Sequence, residues 1–180
     1  MASIRVKDKS FDTYLSEALI QEKVRELADA INRDYENKNP LFIAILNGSF
    51  MFASDLFKHL TIDAEICFIK LASYKGIRSS GHVITAIGLD LDLIDREVVI
   101  VEDIVDTGKT LHHFIPKLHH QQPKSIKIVS LLHKPAATQF ELDIDYIGFT
   151  IPNKFVVGYG LDYDGYGRNL KEIYQLSGAE

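Results

Sequence analysis

Hydrophobic positions along the chain follow two alternating rhythms. Ile20, Val24, Leu27, Ile31 and Tyr35 recur three or four residues apart, the spacing that lines one face of a helix. Ser16 stands where an N-cap would, Glu17 follows at the positive end of the helix dipole, and Asn37-Lys38-Asn39-Pro40 closes the run. After that, short apolar runs alternate with helical stretches. Residues 41–46, 64–71, 83–89, 98–101, 126–132 and 144–149 read as strands; residues 50–60 and 109–118 read as helices, the second bent or ended by Pro116. The strands are near-continuous in Val, Ile and Leu rather than alternating, which suits strands covered on both faces. The pattern predicts an α/β fold, a mostly parallel twisted sheet flanked by helices. Residues 1–10 and 177–180 are expected to be loose ends. Ligands of such sheets sit beyond the carboxyl ends of the strands, so the residues that follow each apolar run carry the candidate chemistry.

The most informative such run is residues 98–110, VVIVEDIVDTGKT. Four apolar residues lead into Glu102 and Asp103, and Asp106 precedes Thr107-Gly108-Lys109-Thr110, which opens a helix. A glycine-containing turn at a helix N-terminus presents backbone N–H groups and hydroxyls to an anion. Glu102 and Asp103 would repel a phosphate, but they suit sugar hydroxyls or Mg²⁺. A phosphate cradle beside such a pair describes a phosphorylated ribose. The nucleoside-triphosphate loop pattern would need glycine at 103, where Asp103 stands. The plainer alternative is an acidic turn that merely caps the next helix.

Composition narrows the field further. Of 180 residues, 46% are apolar, ample for one domain with a packed core. Lys+Arg number 20 against 25 Asp+Glu, a net charge of −5, which argues against a nucleic-acid scaffold. The single Cys67 excludes an internal disulfide framework and reads as inert core. No apolar run approaches the roughly 18 residues of a membrane span, and MASIRVKDKSFD holds no signal-peptide core, so a cytoplasmic setting without membrane partners is expected.

The 98–110 string resembles the phosphoribosyl-pyrophosphate signature of the type I phosphoribosyltransferases. The segment 151–170, IPNKFVVGYGLDYDGYGRNL, is similar to the purine-binding stretch of the hypoxanthine (hypoxanthine-guanine) members. The likeness runs from about Ile43 to Arg168. It implies a single domain, with a core at about 37–150 and a small hood from about 1–15 and 151–180. Glu102 and Asp103 would meet the ribose hydroxyls, and Thr107, Gly108, Lys109 and Thr110 the 5′-phosphate. Asp106 would face purine N7 as general base or acceptor, and Lys134 would donate to O6. Phe155 would stack on the base, Val156 would meet its edge, and Asp162 would bind Mg²⁺, with Glu102 and Asp103 as further metal candidates. Leu46, Asn47 and Gly48, with Arg168, would bind pyrophosphate; in the family this loop carries a cis peptide before its second residue. Some members have lysine where Asn47 stands, which bears on pyrophosphate affinity. Ser73 and Tyr74 would begin a mobile lid over residues 72–82. The resemblance implies transfer of phosphoribosyl from phosphoribosyl pyrophosphate to a 6-oxopurine, with Mg²⁺, in a homodimer or homotetramer.

Alternatives kept open are a transferase for xanthine or another base, and a non-catalytic nucleotide sensor that binds RNA. The net charge of −5 and the complete acid set Glu102, Asp103 and Asp106 count against the last. The histidines at 112, 113, 119 and 120 are expected to decorate a helix surface, with His112 and His113 diverging by about 100°. The Tyr159, Tyr163 and Tyr166 cluster is open between a stacking surface and packing beneath the hood.

Overall fold

The computed structural model describes residues 3–74, 83–87 and 92–178, with side chains given except at 72–74 and 83–87. Its main sheet has six strands, in chain order β3 (Leu41–Leu46), β4 (Glu65–Tyr74), β5 (Val83–Ile87), β6 (Glu97–Val105), β7 (Ser125–His133) and β8 (Tyr146–Thr150). Their spatial order is β5-β4-β3-β6-β7-β8. All neighbours are parallel except β4 and β5, which form an antiparallel hairpin at one edge. Helix α1 (Glu17–Asp34) is capped as the sequence predicts, with Ser16 Oγ accepting from Leu19 N–H. Helices α2 (Phe50–Lys58) and α3 (Lys109–His119) follow β3 and β6.

The apolar runs are continuous because the sheet is covered twice. Phe42, Ala44, Val99 and Val101 join a core with α1 and α2, while Leu41, Ile43, Val98 and Ile100 join a second core with α3 residues Leu111, Phe114 and Leu118. Helix α3 continues past Pro116 instead of ending there. Breaking a helix interior with proline costs about 3 kcal/mol, whereas burying one large apolar side chain contributes about 1.5–3 kcal/mol. Three such side chains outweigh the lost bond. Strand β6 also runs four residues beyond its expected end, because Glu102, Ile104 and Val105 pair with Ser130, Leu132 and His133 of β7. Ladder pairing overrides the low strand preference of the acids.

Residues 3–15, expected in part to be a loose end, are ordered as β1 (Ser3–Val6) and β2 (Lys9–Leu15). With β9 (Val156–Val157) and β10 (Ile173–Leu176) they make a second, antiparallel sheet, β1-β2-β10-β9. Phe11, Val157 and Tyr174 are its buried centre. Short polar strands gain regular structure here from pairing and from that small core, not from their own pattern. In the main sheet the chain builds outward from β3 to β4 and β5, then returns to lay β6 on the other side of β3. The crevice between the carboxyl ends of β3 and β6 is therefore the switch point of the topology.

Candidate active site

Strand β6 delivers Asp106 and Thr107 to the head of α3. Gly108 is the N-cap, at φ 76°, and a Cβ there would lie 2.5 Å from the carbonyl oxygen of Phe140. Only glycine meets both demands. The turn is braced from behind: the N–H groups of Gln139 and Phe140 donate to Thr107 O at 3.0 and 3.1 Å. The Lys109 N–H turns back to Thr107 Oγ at 3.3 Å, and Gly108 has no side chain to cap α3. Its exposed positive end opens on a small cavity of about 90 Å³, lined by Glu102, Ile104 and the residues from Val105 to Leu111. The amides of this first turn, the helix dipole and the Thr107 and Thr110 hydroxyls make this an anion site.

Across the switch point, β3 ends in the loop Leu46-Asn47-Gly48, with the Leu46–Asn47 peptide cis. A Cβ on Gly48 would fall 1.7 Å from Asp103 Oδ2, so the loop passes directly over that carboxylate. Glu102 is buried. Burial, followed by the neighbouring Asp103 charge, holds its carboxyl well above the usual range. Asp103 is also pushed up by burial, and backbone N–H donors and the Arg168 charge oppose that rise.

A second cavity of about 340 Å³ lies beside the first. Asp106 and Ile104 line both. Lys134 forms one wall; it is 6% exposed, and its Nζ lies 3.4 Å from Asp106 Oδ2. Phe155 and Val156 form another, with Leu161 and Asp162. The Phe155 ring is 45% exposed, meets Tyr163 edge-on at 5.9 Å and lies tilted against Phe11 at 6.3 Å. Arg168 and Gly48 complete the mouth. Arg168 pairs with Asp162 Oδ1 at 2.6 Å and donates to Gly160 O at 2.7 Å. The other Asp162 oxygen accepts from Gly165 N–H at 2.6 Å. A cleft of this size, with apolar and charged walls, a buried ammonium and an open ring face, suits a flat polar heterocycle.

Residues 10–164 match the sequence profile of the phosphoribosyl transferase domain. The chain belongs to the phosphoribosyltransferase family. It is 45% identical over 168 residues to the hypoxanthine-guanine phosphoribosyltransferase of Lactococcus lactis, covering 92% of this chain and 91% of that protein. A crystal structure of a hypoxanthine-guanine phosphoribosyltransferase from Bacillus anthracis superposes with a TM-score of 0.84 at 40% identity, covering 92% of this chain and 96% of that one. The bifunctional protein TilS/HprT of Listeria monocytogenes is 42% identical over 160 residues, 88% of this chain. The chain spans about a quarter of the length of that relative, of which 25% is matched.

Within this phosphoribosyltransferase, most of the residues singled out by sequence converge. Glu102 and Asp106 to Thr110 line the smaller cavity; Gly48, Asp103, Asp106, Lys134, Phe155, Val156, Asp162 and Arg168 line the larger. Leu46 and Asn47 lead into Gly48 without lining either. Glu102, Asp103 and Asp162 are not gathered into one metal-binding group; among the described residues no three acidic, His or Cys side chains are. Both Asp162 oxygens are engaged, one by Arg168 and one by the Gly165 N–H. Ser73 and Tyr74 end β4 as hairpin partners of Ile84 and Val83. Their side chains, and the rest of the expected lid at 75–82, lie outside the described residues. His112 and His113 do not diverge. Their rings meet at 5.3 Å and both pack on Phe140, because side-chain rotation brings together what the helical angle separates. Cys67 is half-buried, and burial pushes its thiol up. Tyr159 is buried, whereas Tyr166 is 61% exposed. Ile104, Val105, Leu111 and Leu161 also line the cavities though the sequence did not single them out; for Ile104 and Val105, apolar residues set among site acids were the available signal.

Proposed function

We propose that this phosphoribosyltransferase moves the 5-phosphoribosyl group of phosphoribosyl pyrophosphate onto N9 of hypoxanthine, and of guanine, releasing pyrophosphate and the 5′-mononucleotide. The observation that carries the reading is the pair of joined cavities, one a phosphate cradle and one a heterocycle cleft, with Asp106 on their shared wall. In this account Thr107, Gly108, Lys109 and Thr110 hold the 5′-phosphate, and Glu102 and Asp103 accept from the ribose hydroxyls. N9 attacks C1′ as the bond from C1′ to the pyrophosphate oxygen breaks. Positive charge grows on the ribose ring, and the acids on its hydroxyl face stabilise it, as in other glycosyl transfers. The base sheds its N7 proton to Asp106. Lys134 donates to O6, which a 6-amino base would not accept. Phe155 supports the ring, Val156 meets its edge through the main chain, and Gly48 and Arg168 receive the pyrophosphate.

Mg²⁺ fits the donors present. The Glu102–Asp103 pair sets two adjacent carboxyl groups beside the cavities, and Mg²⁺ needs only one or two carboxylates beside water and phosphate oxygens. When bound, the ion neutralises charge on the departing pyrophosphate. Asp162, paired with Arg168 in the ligand-free protein, would be the further carboxylate to hold the ion. We further propose a cytoplasmic homodimer or homotetramer in which Ser73 and Tyr74 begin a lid that excludes water. Among the described residues no helix is long and apolar enough to cross a membrane. The test is to incubate the protein with phosphoribosyl pyrophosphate, Mg²⁺ and a mixture of five nucleobases, then identify the nucleotide by mass. The reading requires IMP and GMP; formation of UMP or AMP alone, or of no nucleotide, would refute it.

A further inference from the structure

We infer that Asp55 and Tyr159, neither of which touches either cavity, are positioning residues that hold the pyrophosphate side of the site together; the inference rests on the transferase reading above. Asp55 lies in α2, the helix that begins two residues after Gly48. One of its carboxylate oxygens accepts from the Tyr159 hydroxyl at 2.7 Å and from Gln21 Nε2 at 2.6 Å; the other pairs with Lys58 at 2.7 Å. A single charged group thus joins α1, α2 and the loop that carries Asp162 and Arg168.

The two-residue strand β9 leads into that loop, where the chain takes positive φ at six positions between Gly158 and Gly167. Backbone bonds such as Tyr159 N–H to Leu170 O at 2.8 Å fold the loop on itself, and the Tyr159 hydroxyl adds its tie to α2. Tyr159 itself is left-handed at φ 49°, yet its ring is 1% exposed in the core shared with α1 and α2. A buried hydroxyl bonded to a carboxylate is a charge-assisted bond in a low-dielectric setting, stronger than an ordinary one. Its effect reaches the site through one residue. A Cβ on Gly160 would sit 2.0 Å from Gly48 O, so the loop presses directly on the pyrophosphate loop. Gly160 O also accepts from Arg168, and Gly160 N–H donates to Arg168 O at 3.0 Å. Fixing Tyr159 therefore fixes the separation between Gly48 and Arg168, the two groups assigned to pyrophosphate. Glycine at 160 makes the contact; Asp55 keeps it closed.

The test is Tyr159→Phe, which keeps the buried ring and removes only the hydroxyl, with Asp55→Asn as the second variant. Tyr146→Phe serves as a control for stability, because it deletes a hydroxyl bonded to Asp34 at the opposite end of the sheet. Steady-state constants are measured in both directions, together with melting temperature. For Tyr159→Phe the KM for pyrophosphate, in the reverse reaction, should rise on the order of tenfold, as expected when a bond to a charged group is lost, with kcat held within about twofold. The double variant should be no worse than the poorer single one. Tyr146→Phe should lower the melting temperature without moving KM. A Tyr159→Phe protein that loses only melting temperature, or loses kcat with KM for pyrophosphate unchanged, would overturn the tether while leaving the transferase reading intact. A parent protein that forms no nucleotide would sink both.

Discussion

Replacing Lys134 by methionine isolates the one buried cation of the base cleft. The two side chains have similar length, so the change removes charge and donors with little change in volume. The ammonium is 6% exposed, and among the described residues its one ionic partner is Asp106, at 3.4 Å. That separation exceeds the 2.7–3.2 Å of a good N–H···O bond, and Asp106 is itself 47% exposed. The pair resembles a surface ion pair, worth about 0–1 kcal/mol. Most of the donor capacity of Lys134 is therefore held for a ligand. A hydrogen bond from a charged donor contributes about 1.5–3 kcal/mol, so kcat/KM for hypoxanthine should fall about 10- to 150-fold. Adenine offers O6 no counterpart and should be used no worse than before, so the 6-oxo to 6-amino preference should shrink by the same factor. Removing a poorly paired buried charge costs no stability, and the melting temperature should hold or rise. Steady-state rates with the two bases at saturating phosphoribosyl pyrophosphate, and a thermal melt, measure all three. A kcat/KM for hypoxanthine within twofold of the parent would refute the assignment of Lys134 to the base.

Other perturbations follow the same logic. Asp106→Asn cannot take the N7 proton, and kcat should fall about 10²- to 10⁴-fold with KM for the phosphoribosyl donor little changed, as read by steady-state kinetics; a loss confined to donor affinity would reduce Asp106 to positioning. Gly108→Ala meets both a left-handed φ and the Phe140 carbonyl, so urea melts should show a loss of about 1–3 kcal/mol and mononucleotide binding should weaken with it. Glu102 has a raised folded-state pKa, so the folded protein holds this proton more tightly than the unfolded chain. Its contribution to stability is fully present below the unfolded value of about 4.3 and is lost as pH rises through the folded value. The ligand-free protein should lose melting temperature over that rise, Glu102→Gln should flatten the loss while abolishing transfer, and an unchanged pH profile in the variant would contradict the assignment.

The sequence is most legible where chemistry is contiguous. Strand β3 appears at its expected bounds, and Ser16 caps α1 as its position foretells. The phosphate turn could be read because strand, acids and helix start follow one another within 98–110. The base cleft is different. Lys134, Phe155 and Arg168 reach Asp106 only through tertiary packing, so no local pattern announces them, and resemblance alone pointed there. The chain-end sheet was hidden for a related reason: strands such as SIRV and KSFDTYL are too short and polar to signal themselves before pairing. Asp55 was hidden most deeply. Asp55 reads as half of an ordinary surface pair with Lys58 three residues on, and its hydroxyl partner lies 104 residues away.

The central claim is that the turn from Thr107 to Thr110 grips the 5′-phosphate of a nucleotide whose base enters the cleft beneath Lys134. A crystal structure with IMP bound tests it most directly. The account predicts phosphate oxygens within hydrogen-bond distance of the Gly108 to Thr110 amides, ribose hydroxyls on Glu102 and Asp103, and O6 on Lys134 Nζ. A phosphate bound anywhere else, or a base lodged away from Phe155 and Lys134, would contradict it.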